Sequence, residues 1–362
     1  MTSHRTYVID AIPGDGIGPE VVEPTIACVD RVASLHGFSI DWRARDWGSD
    51  RYRRTGAMMP VDGLDALADG DGILLGAVGD PDIDDVTTLW GLLIPIRRTF
   101  DQYVNVRPTT VLPGVQPAVA DAVGMDLVIV RENVEGEYSE AGGRLHRGTE
   151  HELVIQEAVF TRRNTARVAR YAASLADRRG AALVSATKSN GIIHSMPFWD
   201  EVVRDVVREE HPGLVLESVL IDALAARLVL KPRSASVIVA SNLFGDILSD
   251  LAAAVAGSIG IAPSANLDPE RRHPSLFEPV HGTAPDIVGR DLANPIGCLW
   301  AASLMLEHLG EHAAAASLHG AFSDVLAAGT RTRDLGGDAS TTTFSRAVLD
   351  AIDVQSAAPA LS

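Results

Sequence analysis

The segment Ser236-Val237-Ile238-Val239-Ala240 is apolar without a break, and the residues that follow it, Asn242-Leu243-Phe244-Gly245-Asp246-Ile247-Leu248-Ser249-Asp250-Leu251, change to a helical period. A strand that is apolar on both faces must be covered on both, which is the condition of a parallel sheet flanked by helices. The pair therefore predicts a buried parallel strand feeding a helix that starts near Asn242 and runs through Ala252-Ala253-Ala254-Val255. The same alternation recurs along the chain. Further strands are expected at Tyr7–Ala11, Ile73–Gly76, Leu127–Arg131, Val154–Phe160, Ala182–Ser185 and Leu214–Leu220. Helices are expected near Pro19–His36, Leu89–Phe100, Arg162–Arg178, Met196–Glu210, Ile221–Val229 and Asn294–Leu309. The fold class is α/β.

On the predicted helix Asp246 and Asp250 stand one turn apart, with Cβ atoms roughly 5–6 Å from each other. Two carboxylates that close repel unless a cation lies between them, and all-oxygen ligation suits Mg²⁺ or Mn²⁺. The alternative is a solvated acidic face. The neighbours Leu243, Phe244, Ile247, Leu248 and Leu251 leave little free surface there and favour the metal.

Charge and cysteine usage exclude several classes. A net charge of −17 over 362 residues argues against a nucleic-acid partner or an anionic membrane. Cys28 and Cys298 lie in apolar helical patterns, with no disulfide framework and no zinc spacing. The apolar stretch from Leu251 to Ala262 is too short and too broken by glycine to span a bilayer. Behind Met1 there is no signal-peptide core, so a cytoplasmic location is expected. The chain is long enough for one or two domains.

The turn Gly14-Asp15-Gly16-Ile17-Gly18-Pro19 resembles a dinucleotide fingerprint, with Asp41 downstream in the ribose position. The third glycine nevertheless comes one residue early, and Asp15 stands where pyrophosphate would sit. It is read as a tight strand-to-helix turn with Pro19 opening the helix. A second loop, His281-Gly282-Thr283-Ala284-Pro285-Asp286-Ile287, has more to offer a nucleotide. There Asp286 could hold both ribose hydroxyls of an adenosine and repel a 2′-phosphate, which selects NAD over NADP.

The chain has two lysines, Lys188 and Lys231, among 31 basic residues. A lysine kept against an arginine-rich background suits work that needs loss of a proton, and Lys188 follows a strand, where α/β proteins place functional groups. A surface lysine retained by chance is the alternative. Arg97, Arg107 and Arg131 could clamp carboxylates by paired hydrogen bonds, although each alone could equally be a structural ion-pair partner.

Together, Gly14 to Glu20, Arg131-Glu132-Asn133 with Tyr138, Asn242 to Asp250, and His281 to Ile287 resemble the isocitrate and 3-isopropylmalate dehydrogenases, the metal-dependent β-decarboxylating dehydrogenases. The resemblance runs from about Tyr7 to Ile352. Leu89-Trp90-Gly91-Leu92-Leu93 and Phe100 to Asn105 resemble the tartrate and D-malate dehydrogenase branch of that family most.

What the resemblance implies is a two-domain fold, distinct from Rossmann, with a central mixed sheet flanked by helices. The first domain would comprise residues 1–100 and 252–352 and carry the NAD adenosine site; residues 101–251 would form the second, with the homodimer contact and the metal and substrate residues. Residues 353–362 are expected to be a disordered tail. The resemblance further implies shared active sites, with Lys188 and Asp222 reaching the neighbouring subunit, and Asp222, Asp246 and Asp250 around Mn²⁺ or Mg²⁺. Arg97, Arg107 and Arg131 would bind substrate carboxylates. Tyr138, Lys188 and Asp222 would be catalytic, Lys188 as base and Tyr138 as proton donor. His281, Gly282, Thr283, Ala284, Asp286, Ile287, Asn294 and Asn190 would hold NAD, and K⁺ is compatible as a further ion.

Trp90 and Leu93 would face the substituent at the substrate's C3, and a bulky Trp90 shortens that pocket to suit D-malate or tartrate. 3-Isopropylmalate is the runner-up substrate, and a non-catalytic dicarboxylate- or nucleotide-binding relative the reading of another class. Three positions depart from the family pattern. Val134 lacks the hydroxyl of a usual Thr, Val86 replaces a His, and Pro95 interrupts the helix that carries Arg97.

Overall fold

The computed structural model describes residues 5–357. Its strands are β1 (Arg5–Gly14), β2 (Phe38–Ala44), β3 (Gly72–Ala77), β4 (Val104–Thr110), β5 (Asp126–Glu132), β6 (Gly142–Leu145), β7 (Leu153–Gln156), β8 (Leu183–Thr187), β9 (Leu216–Leu220), β10 (Val237–Ala240), β11 (Pro263–Leu267) and β12 (Ser275–Pro279). The chain divides into two compact units. One is Met1–Gln102, Val111–Ala118 and Ala256–Ser362; the other is Tyr103–Thr110 and Val119–Val255.

In the first unit the strand order is β2-β1-β3-β12-β11, parallel except for the antiparallel pair β12–β11. β3 is buried along its whole length, as a central parallel strand must be. Helices Gly18–His36, Ile296–Leu309, His312–Ala327 and Thr341–Ala357 belong to this unit. The last of these covers residues 353–357, the start of the segment expected to be an irregular tail; residues 358–362 lie outside the described part.

In the second unit the order is β4-β5-β10-β8-β9, with β4 antiparallel and the rest parallel. β10, the apolar segment that opened the sequence argument, is wholly buried between β5 and β8. The strand expected over Val154–Phe160 is the shorter β7, which pairs with β6 as a separate, exposed two-stranded sheet. β4 gave no strand signal because Pro108 and the buried polar residues Asn105 and Arg107 break its apolar pattern.

Pro95 does not break its helix. Asp85–Thr88, a wide π turn at Leu89–Leu93 and Ile94–Thr99 follow one another directly. The Ile94 N–H reaches back five residues to the Leu89 carbonyl just before the proline, which has no N–H to give. The wider turn makes room for the ring, and Arg97 and Arg98 remain helical.

Candidate active site

In the second unit the helix Asn242–Ala256 starts where β10 ends. Glu137 caps it: one carboxylate oxygen accepts from the Leu243 N–H (3.0 Å) and the other from Ser241 Oγ (2.8 Å). Glu135 does the same for the helix Arg162–Arg179, accepting from the Thr161 N–H (2.7 Å) and from Asn164 Nδ2 (2.7 Å). The two glutamates thus pin the loop that carries Tyr138.

Gly245 lets the strand and helix meet. A Cβ there would lie 2.6 Å from the Cβ of Arg131 and 3.2 Å from its Cα. The Arg131 side chain therefore runs against the helix, where Nε and Nη2 both donate to Asn242 Oδ1 (3.0 and 2.7 Å) and Nη1 donates to Asp246. Arg107 arrives from β4. It donates to Asn105 Oδ1 (2.9 Å) and Ser249 Oγ (2.6 Å), and its Nη1 lies 3.3 Å from Asp246 and 3.5 Å from Asp250. Tyr138 donates to the other Asp246 oxygen at 2.9 Å. Burial, and then the Asp246 carboxylate, hold the Tyr138 hydroxyl above its ordinary range, so it keeps its proton at neutral pH. Burial pushes the Asp250 carboxyl up, Arg107 pulls it down, and Asp246 pushes it up again.

Two carboxylates that both approach one guanidinium nitrogen converge on a single point of positive charge. That convergence, with hard oxygen donors and an Asp250 side chain 54% exposed, fits a divalent cation. Among the described residues no group of three or more His, Cys, Asp or Glu could hold a metal ion. Asp222 instead meets Lys188, whose Nζ is 2.5 Å from its carboxylate, and that ammonium holds the Asp222 carboxyl below the usual range. The exposed Asn190 lies in the same loop as Lys188.

The remaining expected site residues lie in the first unit. Arg97 donates to Glu278 (2.8 Å) in a largely buried pair, and Glu278 also accepts from Asn266 (2.9 Å). Trp90 is half-buried under the Arg98 guanidinium, 4.7 Å from the ring centre. Leu93 is buried in the core cluster with Leu92, Ile96 and Phe100, so of the two proposed pocket residues Trp90 keeps the greater access. The glycine-rich turn after β1 is structural, as expected. Asp15 accepts from the Ser49 N–H (2.7 Å), Ser49 Oγ (2.7 Å) and the Gly79 N–H (2.9 Å), leaving no place for pyrophosphate. Gly16, at φ 57°, presses on the other loop: a Cβ would stand 2.2 Å from the Thr283 carbonyl, which accepts the Ile17 N–H at 3.0 Å. Asp286 and Gly282 are exposed, with His281, Thr283, Ala284 and Ile287 half-buried. Burial pushes His281 down, so its ring is neutral. Asn294 bonds Asp334 (2.9 Å) and caps the helix that follows through the Ile296 N–H (3.0 Å).

Asn242, Asn105, Ser249, Glu135 and Glu137 align the second-unit residues, and Glu278 holds Arg97 in the first unit; none is named as a site residue from the sequence. Apart from Asn105, which lies two residues before Arg107, they bond to the arginines and helix ends across segments distant in the chain, so no local spacing marks them.

Comparison with known proteins agrees along the length of the chain. A profile of the isocitrate/isopropylmalate dehydrogenase family matches residues 8–350. A probable tartrate dehydrogenase/decarboxylase of Agrobacterium vitis is 51% identical over 352 residues, covering 96% of this chain and 98% of the relative. The D-malate dehydrogenase (decarboxylating) of Escherichia coli is 50% identical over 347 residues, covering 93% and 96%. Among solved structures, an isocitrate dehydrogenase from Methylococcus capsulatus superposes with a TM-score of 0.85 at 31% identity, covering 96% of this chain and 99% of that one.

Proposed function

The chain belongs to the isocitrate/isopropylmalate dehydrogenase family, and from that premise we propose that it oxidatively decarboxylates a small 2-hydroxy dicarboxylic acid, D-malate (to pyruvate and CO₂) or tartrate, with NAD⁺ and Mn²⁺ or Mg²⁺. The observation that carries this reading is the gathering of Arg107, Arg131 and the Tyr138 hydroxyl on the Asp246–Asp250 face. The relatives named for tartrate and D-malate support the substrate class.

A divalent ion held by Asp246, Asp250 and the Asp222 of a second copy would acidify the substrate hydroxyl and polarise the ketone that follows. Arg107 and Arg131, already desolvated and held by Asn105 and Asn242, would bind the substrate carboxylates once the ion takes Asp246 and Asp250 from them. Lys188 of the second copy would take the hydroxyl proton, and NAD⁺, when bound, would supply the hydride acceptor for C2. The C3–CO₂ bond then breaks, its electron pair remains on the carbon skeleton, and Tyr138 returns a proton to C3. Exposed Asp286 would meet the adenosine ribose. A homodimer is part of the reading. Its support is the separate β6–β7 hairpin, which exposes Leu145, Leu153, Val154 and Ile155 and needs cover to be stable.

The test is NADH formation with Mn²⁺, comparing D-malate, the tartrate isomers and 3-isopropylmalate at equal concentration. Fastest turnover of D-malate or tartrate is expected. A preference for 3-isopropylmalate would keep the chemistry and overturn the Trp90 pocket; no turnover of any of them would overturn the reading.

A further inference from the structure

The starting ends of β1 and β12 and the approach to β3, in the first unit, frame a cavity of about 140 Å³, whose lining includes Arg5, Asp71, Arg271, His273 and His308. None of these belongs to the site described above. The cavity lies at the end of β1 opposite to the Gly14–Gly18 turn. In a chain of net charge −17, this cavity is lined by three arginines, Arg5, Arg271 and Arg272, and one acid, Asp71. Arg272, also in the lining, is neutralised by Asp268 (2.9 Å), Asp101 (3.3 Å) and Glu270 (3.3 Å). Among the described residues Arg5 and Arg271 have no carboxylate partner; Arg5 lies over the Tyr7 ring, 4.5 Å from its centre. Asp71, the acid in the lining, accepts the Val8 N–H at 2.8 Å.

The backbone at Arg271 is fixed by its own turn. The fully buried Asp268 carboxylate accepts the N–H groups of Arg272 (2.9 Å) and His273 (3.1 Å), and its carbonyl accepts that of Arg271 (2.9 Å). This closure holds Arg271 at φ 55°, a left-handed conformation that long side chains rarely adopt. Such strain persists where surrounding bonds over-determine it, which is a common mark of binding loops. The local field agrees: burial first and Arg271 second push His308 down to about 4, so that it stands neutral. The volume is several times that of a water molecule and below the roughly 300 Å³ at which pockets for larger organic ligands begin.

We propose that this cavity binds a small multivalent oxyanion of the phosphate class, clamped by the guanidinium groups of Arg5 and Arg271. Two forked donors that outnumber the one lining carboxylate, Asp71, suit the tetrahedral oxyanion, and the size excludes a nucleotide.

The experiment is titration calorimetry of the full chain with inorganic phosphate, without NAD⁺ or substrate, at constant ionic strength. Saturable binding at one site is expected, with competition by sulfate and none by chloride. Arg271→Gly should weaken it at least tenfold, because glycine accepts the φ of this turn while the guanidinium is lost. Arg5→Gln should weaken it as well, and Arg233→Gln, at an exposed arginine of the other unit, should leave it unchanged. Absence of saturable heat, an equal effect from chloride, or binding that survives Arg271→Gly overturns the proposal. The last outcome would include phosphate held by Arg107 and Arg131. Since the readout is heat of binding, failure here would leave the dehydrogenase reading standing.

Discussion

Glu132 ends β5 with 1% of its surface exposed, accepting the N–H groups of Val134 (3.0 Å) and Glu135 (3.2 and 3.1 Å to its two oxygens). Burial pushes its carboxyl up, the Val134 N–H pulls it back, and the Glu135 carboxylate pushes it up again, leaving it at about 7 against 4.5. Between those two values the folded chain holds a proton that the unfolded chain has released. The stabilisation is therefore complete below about 4.5 and is lost as the pH rises through about 7. The difference is worth about 3 kcal/mol. With roughly 2.1 cal/mol/K of unfolding entropy per residue over 362 residues, that is about 4 °C in Tm. Glu132→Gln removes the titration and gives up one backbone acceptor, about 1 kcal/mol at every pH. The variant should melt at or slightly below the unsubstituted protein near pH 5, and about 2–3 °C above it near pH 8.5. Thermal melts across that range decide it. Parallel Tm–pH curves for the two proteins would show that Glu132 does not titrate in this window and would refute the argument.

Asp246→Asn should weaken Mn²⁺ binding by about two orders of magnitude in a metal titration of NADH production, and unchanged Mn²⁺ affinity would remove the residue from the site. Lys188→Met should abolish hydride transfer while NAD⁺ binding by fluorescence titration persists; retained turnover refutes its role as base. Asp286→Lys should erode the preference for NAD⁺ over NADP⁺ in kcat/KM, and an unaltered ratio would place the adenosine elsewhere. Gly245→Ala should cost about 1–3 kcal/mol by overpacking, since its methyl would meet Arg131 at 2.6 Å. It should also raise KM for the dicarboxylate, and a variant with unchanged Tm and KM would show that helix and strand move apart freely.

The sequence alone determined whatever depends on neighbours along the chain. β10 was legible because a doubly apolar run has one stable environment, and the helix after it because its period changes at Asn242. The glycine turn could be read as structural because Asp15 stands inside it, and three donors now hold that carboxylate. The Asp246–Asp250 pair followed from helical spacing. Tertiary structure decided what each charge meets. Arg97 lies on Glu278, 181 residues away, and Arg131 lies on Asn242, 111 residues away. Leu93 and Trp90 part company because a π turn shifts the register before Pro95. Exposure of the β6–β7 hairpin is of the same kind. Spacing along a chain sets which side chains share one face of one element, while the partner across the gap is set by chain segments that only folding brings together.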